Sequence, residues 1–162
     1  MNAHRTLNLC LDIDNVSSRT VPDNELLESW VRAALESRRA DAEISLRIVD
    51  INEISALNQQ YRGKDYATNV LSFPTDLPPA LKLPHLGDIV ICAEVVEREA
   101  VEQKKSAQAH WAHMLVHGTL HLLGYDHIDD DEALVMETLE IEILHALNFD
   151  NPYLGEEVVN HV

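Results

Sequence analysis

Hydrophobic and polar residues alternate strictly at two places early in the chain, through Leu7, Leu9, Leu11 and Ile13, and again through Ile44, Leu46 and Ile48. A period of two puts these side chains on one face, so each run predicts a strand with one buried side. Between them, Leu26, Leu27, Trp30, Val31, Ala34 and Leu35 recur at helical spacing behind Asp23, a residue type suited to an N-cap. That spacing predicts a helix lying on the sheet. Asp50 followed by Glu53 resembles a capping box, and Ile51, Ile54, Leu57 and Tyr61 mark a second helix ending near Gly63. Asn69 to Phe73, stopped by Pro74, and Asp88 to Cys92 read as short strands on either side of a Pro-rich loop from Leu77 to Pro84. The chain then turns helical over Ala93 to Gln103, Ala107 to Leu123 and Asp131 to Leu147. The last of these carries Val135, Leu139, Ile143 and Leu147 as its expected core stripe.

Strands followed by helices, with no internal repeat and no separating linker, predict a single α+β domain over residues 1–150: a small mixed sheet packed with helices. Residues 151–162 read as an acidic, disordered tail. A length of 162 residues, 46% of them hydrophobic, is enough for one core of its own. No run of about 18 apolar residues could span a membrane. The segment from Met1 to Leu11 is broken by Asn8 and lacks a small-residue cleavage pattern, so a cytoplasmic location is expected. Cys10 and Cys92 lie far apart among Leu and Ile without CxxC spacing, which predicts buried thiols rather than ligands or a disulfide.

Charge changes the picture more than composition does. Twenty-eight acidic against twelve basic residues give a net charge of −16, which repels nucleic-acid phosphates at long range and disfavours nonspecific binding to them. A local basic cluster could still bind RNA, and the acidic remainder would suit a basic partner protein.

Five of the nine histidines fall between His110 and His127. His117 and His121 are four apart on a predicted helix, so their side chains share one face about 5 to 6 Å apart at Cβ, close enough to chelate one ion. Gly124 can take the left-handed conformation that ends a helix, letting the chain turn back with His127 as a third ligand. The resulting HxxxHxxGxxH matches the ligand spacing of the metzincin zinc proteases, whose active-site helix this segment resembles. Three protein ligands with an open position are what a catalytic zinc site needs. Imidazole ligands favour one zinc ion per chain over magnesium or calcium, with nickel, copper or iron also able to bind.

The metzincin helix has Glu directly after its first His, as general base, and this chain has Gly118. Peptide hydrolysis loses its usual base. A metal there would still lower the pKa of water to about 7 and polarise a phosphoryl or carbonyl oxygen, with Asp126, Asp88 or His113 as candidates for moving protons. His113, four residues before His117, and Asp126 are also candidates to orient a ligand imidazole. Each has a plainer alternative, a core histidine and a turn residue respectively.

The stretch from His117 through His127 reads HGTLHLLGYDH, and this resembles the YbeY-type rRNA maturation endoribonucleases, whose signature is HGxLHLxGYDH. Leu57 to Asp65, Thr68 to Pro74 and Gly87 to Ile89 are similar to further segments of that family in the same order, with Ala67 departing from its usual Pro. The resemblance runs from about Leu46 to Leu147. It implies a small α+β domain with zinc on His117, His121 and His127. It also implies a single-strand-specific endoribonuclease acting in ribosomal RNA maturation, at the 16S rRNA 3′ end, and in ribosome quality control. His117 and Arg62 match family positions implicated in activity, and an arginine there could clamp phosphate or stabilise developing phosphorane charge. Lys64 and Arg47 could join Arg62 in a basic patch. The implied partners are ribosomal RNA, the small ribosomal subunit, a basic ribosomal protein and an assembly GTPase. Two other readings remain open, a metal-dependent peptidase or amidase and a non-enzymatic ribosome-assembly factor with a structural zinc.

Overall fold

In the computed structural model the described residues are 7–75 and 84–153. Most of the predicted Pro-rich loop, and the tail beyond Tyr153, lie outside them. The elements run β1 (Asn8–Asn15), α1 (Asn24–Leu35), β2 (Asp41–Val49), α2 (Ile51–Arg62), β3 (Val70–Pro74), β4 (His85–Cys92), α3 (Ala93–Glu102), α4 (Ala107–Leu122) and α5 (Asp130–Ala146). The four strands form one mixed sheet in the order β1-β2-β4-β3, with β3 antiparallel to β4 and the other pairs parallel. This is the expected α+β architecture.

Strand alternation divides the core into two layers. Ile44, Leu46 and Ile48 of β2 and Ile89 and Ile91 of β4 face α1 and α4, joining Leu27, Trp30, Trp111, Leu115 and Leu120 in the main cluster. Val49, Leu71, Val90 and Cys92 point to the other side, where Ile54 of α2 covers them. Helix α4 is central, packing against α1, α3, α5, β3 and β4. Eleven of its 16 residues are buried, so its sequence is apolar on nearly every side rather than amphipathic. Glycine is required where α4 meets the sheet. Gly87 has φ +143° and a Cβ there would fall 2.2 Å from the Phe73 carbonyl oxygen. Among the described residues, no helix is long and apolar enough to cross a membrane.

Four local expectations are corrected. Asp23 and Asp50 occupy N-cap positions, yet neither side chain caps its helix. The Asp50 carboxylate instead accepts from the Ser18 backbone N–H and hydroxyl, and Glu53 pairs with Arg47, so no capping box forms. In α5, Val135 is exposed and the buried residues are Met136, Glu140, Ile143 and Leu144. The stripe is turned by one residue because a carboxylate, Glu140, occupies a core position. Cys10 is exposed, on the face of edge strand β1 that carries Asp12 and Asp14, while Cys92 is buried as expected.

Candidate metal centre

Helix α4 starts at Ser106, whose side chain accepts the Ala109 N–H, and ends in a turn where Gly124 takes φ +104°. The Gly124 and Tyr125 N–H groups return to the carbonyls of His121 and Leu120, and this reversal brings His127 back to the helix end. One nitrogen from each of His117, His121 and His127 then lies within 4.8 Å of the other two.

Hydrogen bonding sets which nitrogens face inward. His117 Nδ1 lies 2.5 Å from Glu140 Oε2, and His121 Nδ1 lies 3.0 Å from the Tyr125 carbonyl oxygen. Both partners only accept, so each Nδ1 carries the proton and donates. Each Nε2 is therefore left with a lone pair, and these two atoms face each other 3.1 Å apart. Two lone pairs at that distance repel unless a cation lies between them. The separation is close to the roughly 3.3 Å that two nitrogens at about 2.05 Å from a tetrahedral zinc would show. The donor set thus fits zinc, and His127, more than half exposed, leaves one side of the centre open to solvent.

Glu140 is the group that sequence reasoning missed. Its side chain is fully buried, and besides His117 it meets His113 Nε2 at 3.2 Å and the Tyr153 hydroxyl. Burial alone would push its carboxyl up, but the hydrogen bonds from His113 and His117 outweigh that and hold it at about 2. Burial also pushes the His113 imidazole below its ordinary value. Its Nε2 therefore donates as a neutral ring, and its buried Nδ1 has no partner. The imidazole of His121 is lowered too, by burial and then by His117 and His127 beside it. A neutral ring suits a ligand.

The remaining candidates are placed as follows. His113 shares Glu140 with His117, so it is linked to the histidine cluster through that carboxylate. Asp126 Oδ1 accepts the His127 backbone N–H at 2.8 Å and lies 3.9 Å from His127 Nδ1, a turn residue standing at the rim of the centre. Asp88 is not brought to the histidines: Gly87 and Ile89 face α4, and Asp88 points to the opposite side of the sheet beside Asp12, Asp14 and Arg47. Arg62 is exposed at the end of α2, the helix covering that opposite side, and its guanidinium has no ion pair among the described residues. Arg47 is committed to Glu53 and Asp14, so it does not join Arg62 in the expected patch. At Gly118, a Cβ would meet Ser72 Oγ at 3.2 Å and Ile89 and Val70 at 3.4 Å, so this position faces the sheet.

Residues 12–148 match the family described as Endoribonuclease YbeY. The chain is 55% identical over 145 residues to an Endoribonuclease YbeY of Cellvibrio japonicus (strain Ueda107), covering 88% of this chain and 82% of that one. It is also 55% identical over 148 residues to an Endoribonuclease YbeY of Pseudomonas putida (strain W619), covering 91% and 94%. The solution structure of TM1509 from Thermotoga maritima aligns with a TM-score of 0.57 at 26% identity, over 96% of this chain and 93% of that one. With a family match spanning most of its length, the chain belongs to the YbeY endoribonuclease family.

Proposed function

We propose that the protein is a zinc-dependent endoribonuclease, cutting single-stranded RNA in ribosomal RNA maturation and ribosome quality control in the cytoplasm. The observation that carries the reading is the pair of inward-facing lone pairs on His117 and His121 with His127 beside them, in a member of this family. When bound there, zinc supplies Lewis-acid polarisation of a phosphoryl group and acidification of water. The chain's own residues do the rest. Glu140 and the Tyr125 carbonyl fix the tautomers of His117 and His121, so both rings present Nε2. Asp126 stands at the rim, holding the His127 backbone N–H through its Oδ1. Arg62, without an ion pair among the described residues, supplies a phosphate contact on the RNA chain away from the metal.

A net charge of −16 opposes tight binding of free RNA. Docking on the small ribosomal subunit through a basic ribosomal protein, with an assembly GTPase, would deliver ribosomal RNA to the site by raising its effective concentration. The peptidase reading is disfavoured by Gly118, since the sheet fills the space in which a glutamate base would have to sit.

The test is cleavage of a single-stranded ribosomal RNA fragment, with and without small subunits, by zinc-loaded protein, chelated protein and the Arg62→Ala variant at one salt concentration. Loss in both treated samples supports the proposal. No cleavage by the loaded wild type, with or without subunits, overturns it in favour of a non-enzymatic assembly factor.

A further inference from the structure

Glu140 is a carboxylate with no exposed surface, and such a group persists as an ion only if its oxygens are supplied with donors. Among the described residues, three donors reach it. His117 Nδ1–H serves Oε2, while His113 Nε2–H and the Tyr153 hydroxyl serve Oε1. The first two come from α4, as His121 does. The third comes from the segment after α5, where the Tyr153 backbone N–H is held at 2.8 Å by Asn151 Oδ1.

Tyr153 does more than touch the carboxylate. Its oxygen lies 3.2 Å from His113 Nε2, and its ring meets the His113 ring edge-on with centroids 5.4 Å apart. A phenol that donates to Glu140 can still accept through its oxygen, so the His113 N–H is shared between the phenol and the carboxylate. Tyr153 thereby fixes both the position of Oε1 and the orientation of the second histidine on that carboxylate. Because Oε1 and Oε2 belong to one rigid plane, holding Oε1 aims Oε2 at His117.

We infer that Tyr153 is a positioning residue of the metal centre, acting through Glu140 on His117, so that the attachment of the C-terminal segment sets how tightly the three histidines hold their ion. This rests on the reading of the histidine cluster as a zinc site. Partners that orient a ligand histidine usually contribute 10- to 100-fold in metal affinity. The hydroxyl of Tyr153, one step further out, is expected to contribute about 10-fold.

The test uses the full chain and zinc itself. Zinc affinity is measured by competition with a chelator for wild type, Tyr153→Phe and Tyr66→Phe, the last an exposed tyrosine as control. The cobalt(II)-substituted proteins are compared by their visible ligand-field spectra. We expect about 10-fold weaker zinc binding and a shifted cobalt spectrum in Tyr153→Phe alone, with metal-free unfolding still cooperative. Should Tyr153→Phe fail to fold, Asn151→Ala, which releases the turn and leaves the phenol in place, is expected to weaken zinc binding in the same direction. An affinity within twofold of wild type in the folded variant overturns the positioning role and leaves the zinc site standing. Failure of the wild type to take up zinc overturns the zinc site and this inference together.

Discussion

The Ser72 hydroxyl donates to the Gly118 carbonyl at 3.0 Å and stands 3.2 Å from where a Cβ on Gly118 would lie. The two contacts seat the C-terminal half of α4 directly on edge strand β3. The residue that follows His117 is thus turned away from the histidine cluster and into the sheet.

Restoring the metzincin-like sequence by Gly118→Glu is therefore expected to destabilise the protein, not to create a peptidase. The new side chain would enter a packed layer among Ser72, Ile89 and Val70, and its carboxylate would lack a partner. Overpacking together with a buried polar group costs about 3 kcal/mol or more. Urea unfolding checks the stability and a casein digest checks the activity. A stable variant that gains proteolysis would contradict this packing.

Zinc should stabilise the wild type in proportion to the logarithm of its concentration, by about 2.7 kcal/mol at 100 times the dissociation constant. His121→Ala removes one of the two facing Nε2 atoms and should abolish that gain. The measurement is the unfolding midpoint at fixed protein with and without zinc. An undiminished shift in the variant would place the ion elsewhere.

Acid should weaken the metal-free protein through Glu140. Its carboxyl falls from 4.5 to about 2 on folding. The unfolded chain takes up that proton first as pH drops. The stabilisation is thus complete above about pH 4.5 and is lost between there and about pH 2. A shift of this size corresponds to about 3 kcal/mol. Glu140→Gln should be less stable than wild type by roughly that amount at pH 7, and the gap should close by pH 2. Urea titrations of both proteins at pH 7, 4 and 2 read this directly, and a gap independent of pH would assign the loss to packing instead.

Much of this site was legible because its three histidines are close in sequence. His117, His121, Gly124 and His127 follow from helical spacing and one turn, and the facing strands follow from their alternation. Glu140 was not legible. A glutamate in a helix rich in glutamate reads as solvated, and only the packing of α5 on α4 distinguishes it from Glu137 or Glu142. The same carboxylate explains the misplaced stripe, since an apolar count favours Leu139 over Glu140, and with it the register of Val135 over that of Met136. Sheet order, the antiparallel β3, the position of Asp88 and the pairing of Arg47 depend on contacts between residues distant in sequence. Cys10 misled because its neighbours in the chain are apolar while its neighbours on the strand face are aspartates.

Arg62→Ala should separate folding from RNA contact. The side chain is exposed and has no ion pair among the described residues, so its loss should change stability by no more than about 0.5 kcal/mol. If it contacts one phosphate, the variant should bind single-stranded RNA more weakly whatever the base sequence. The slope of log affinity against log salt should fall by about 0.7, the share of one released counterion. Arg47→Ala is the informative contrast, because that guanidinium is already neutralised by Glu53 and Asp14. It should destabilise the fold without altering the salt slope. Fluorescence anisotropy of a labelled RNA fragment over 50 to 200 mM salt (roughly the range in which counterion release dominates) distinguishes the two. An unchanged slope in Arg62→Ala would remove this arginine from the RNA path and leave the histidine cluster as the site's contact with the substrate.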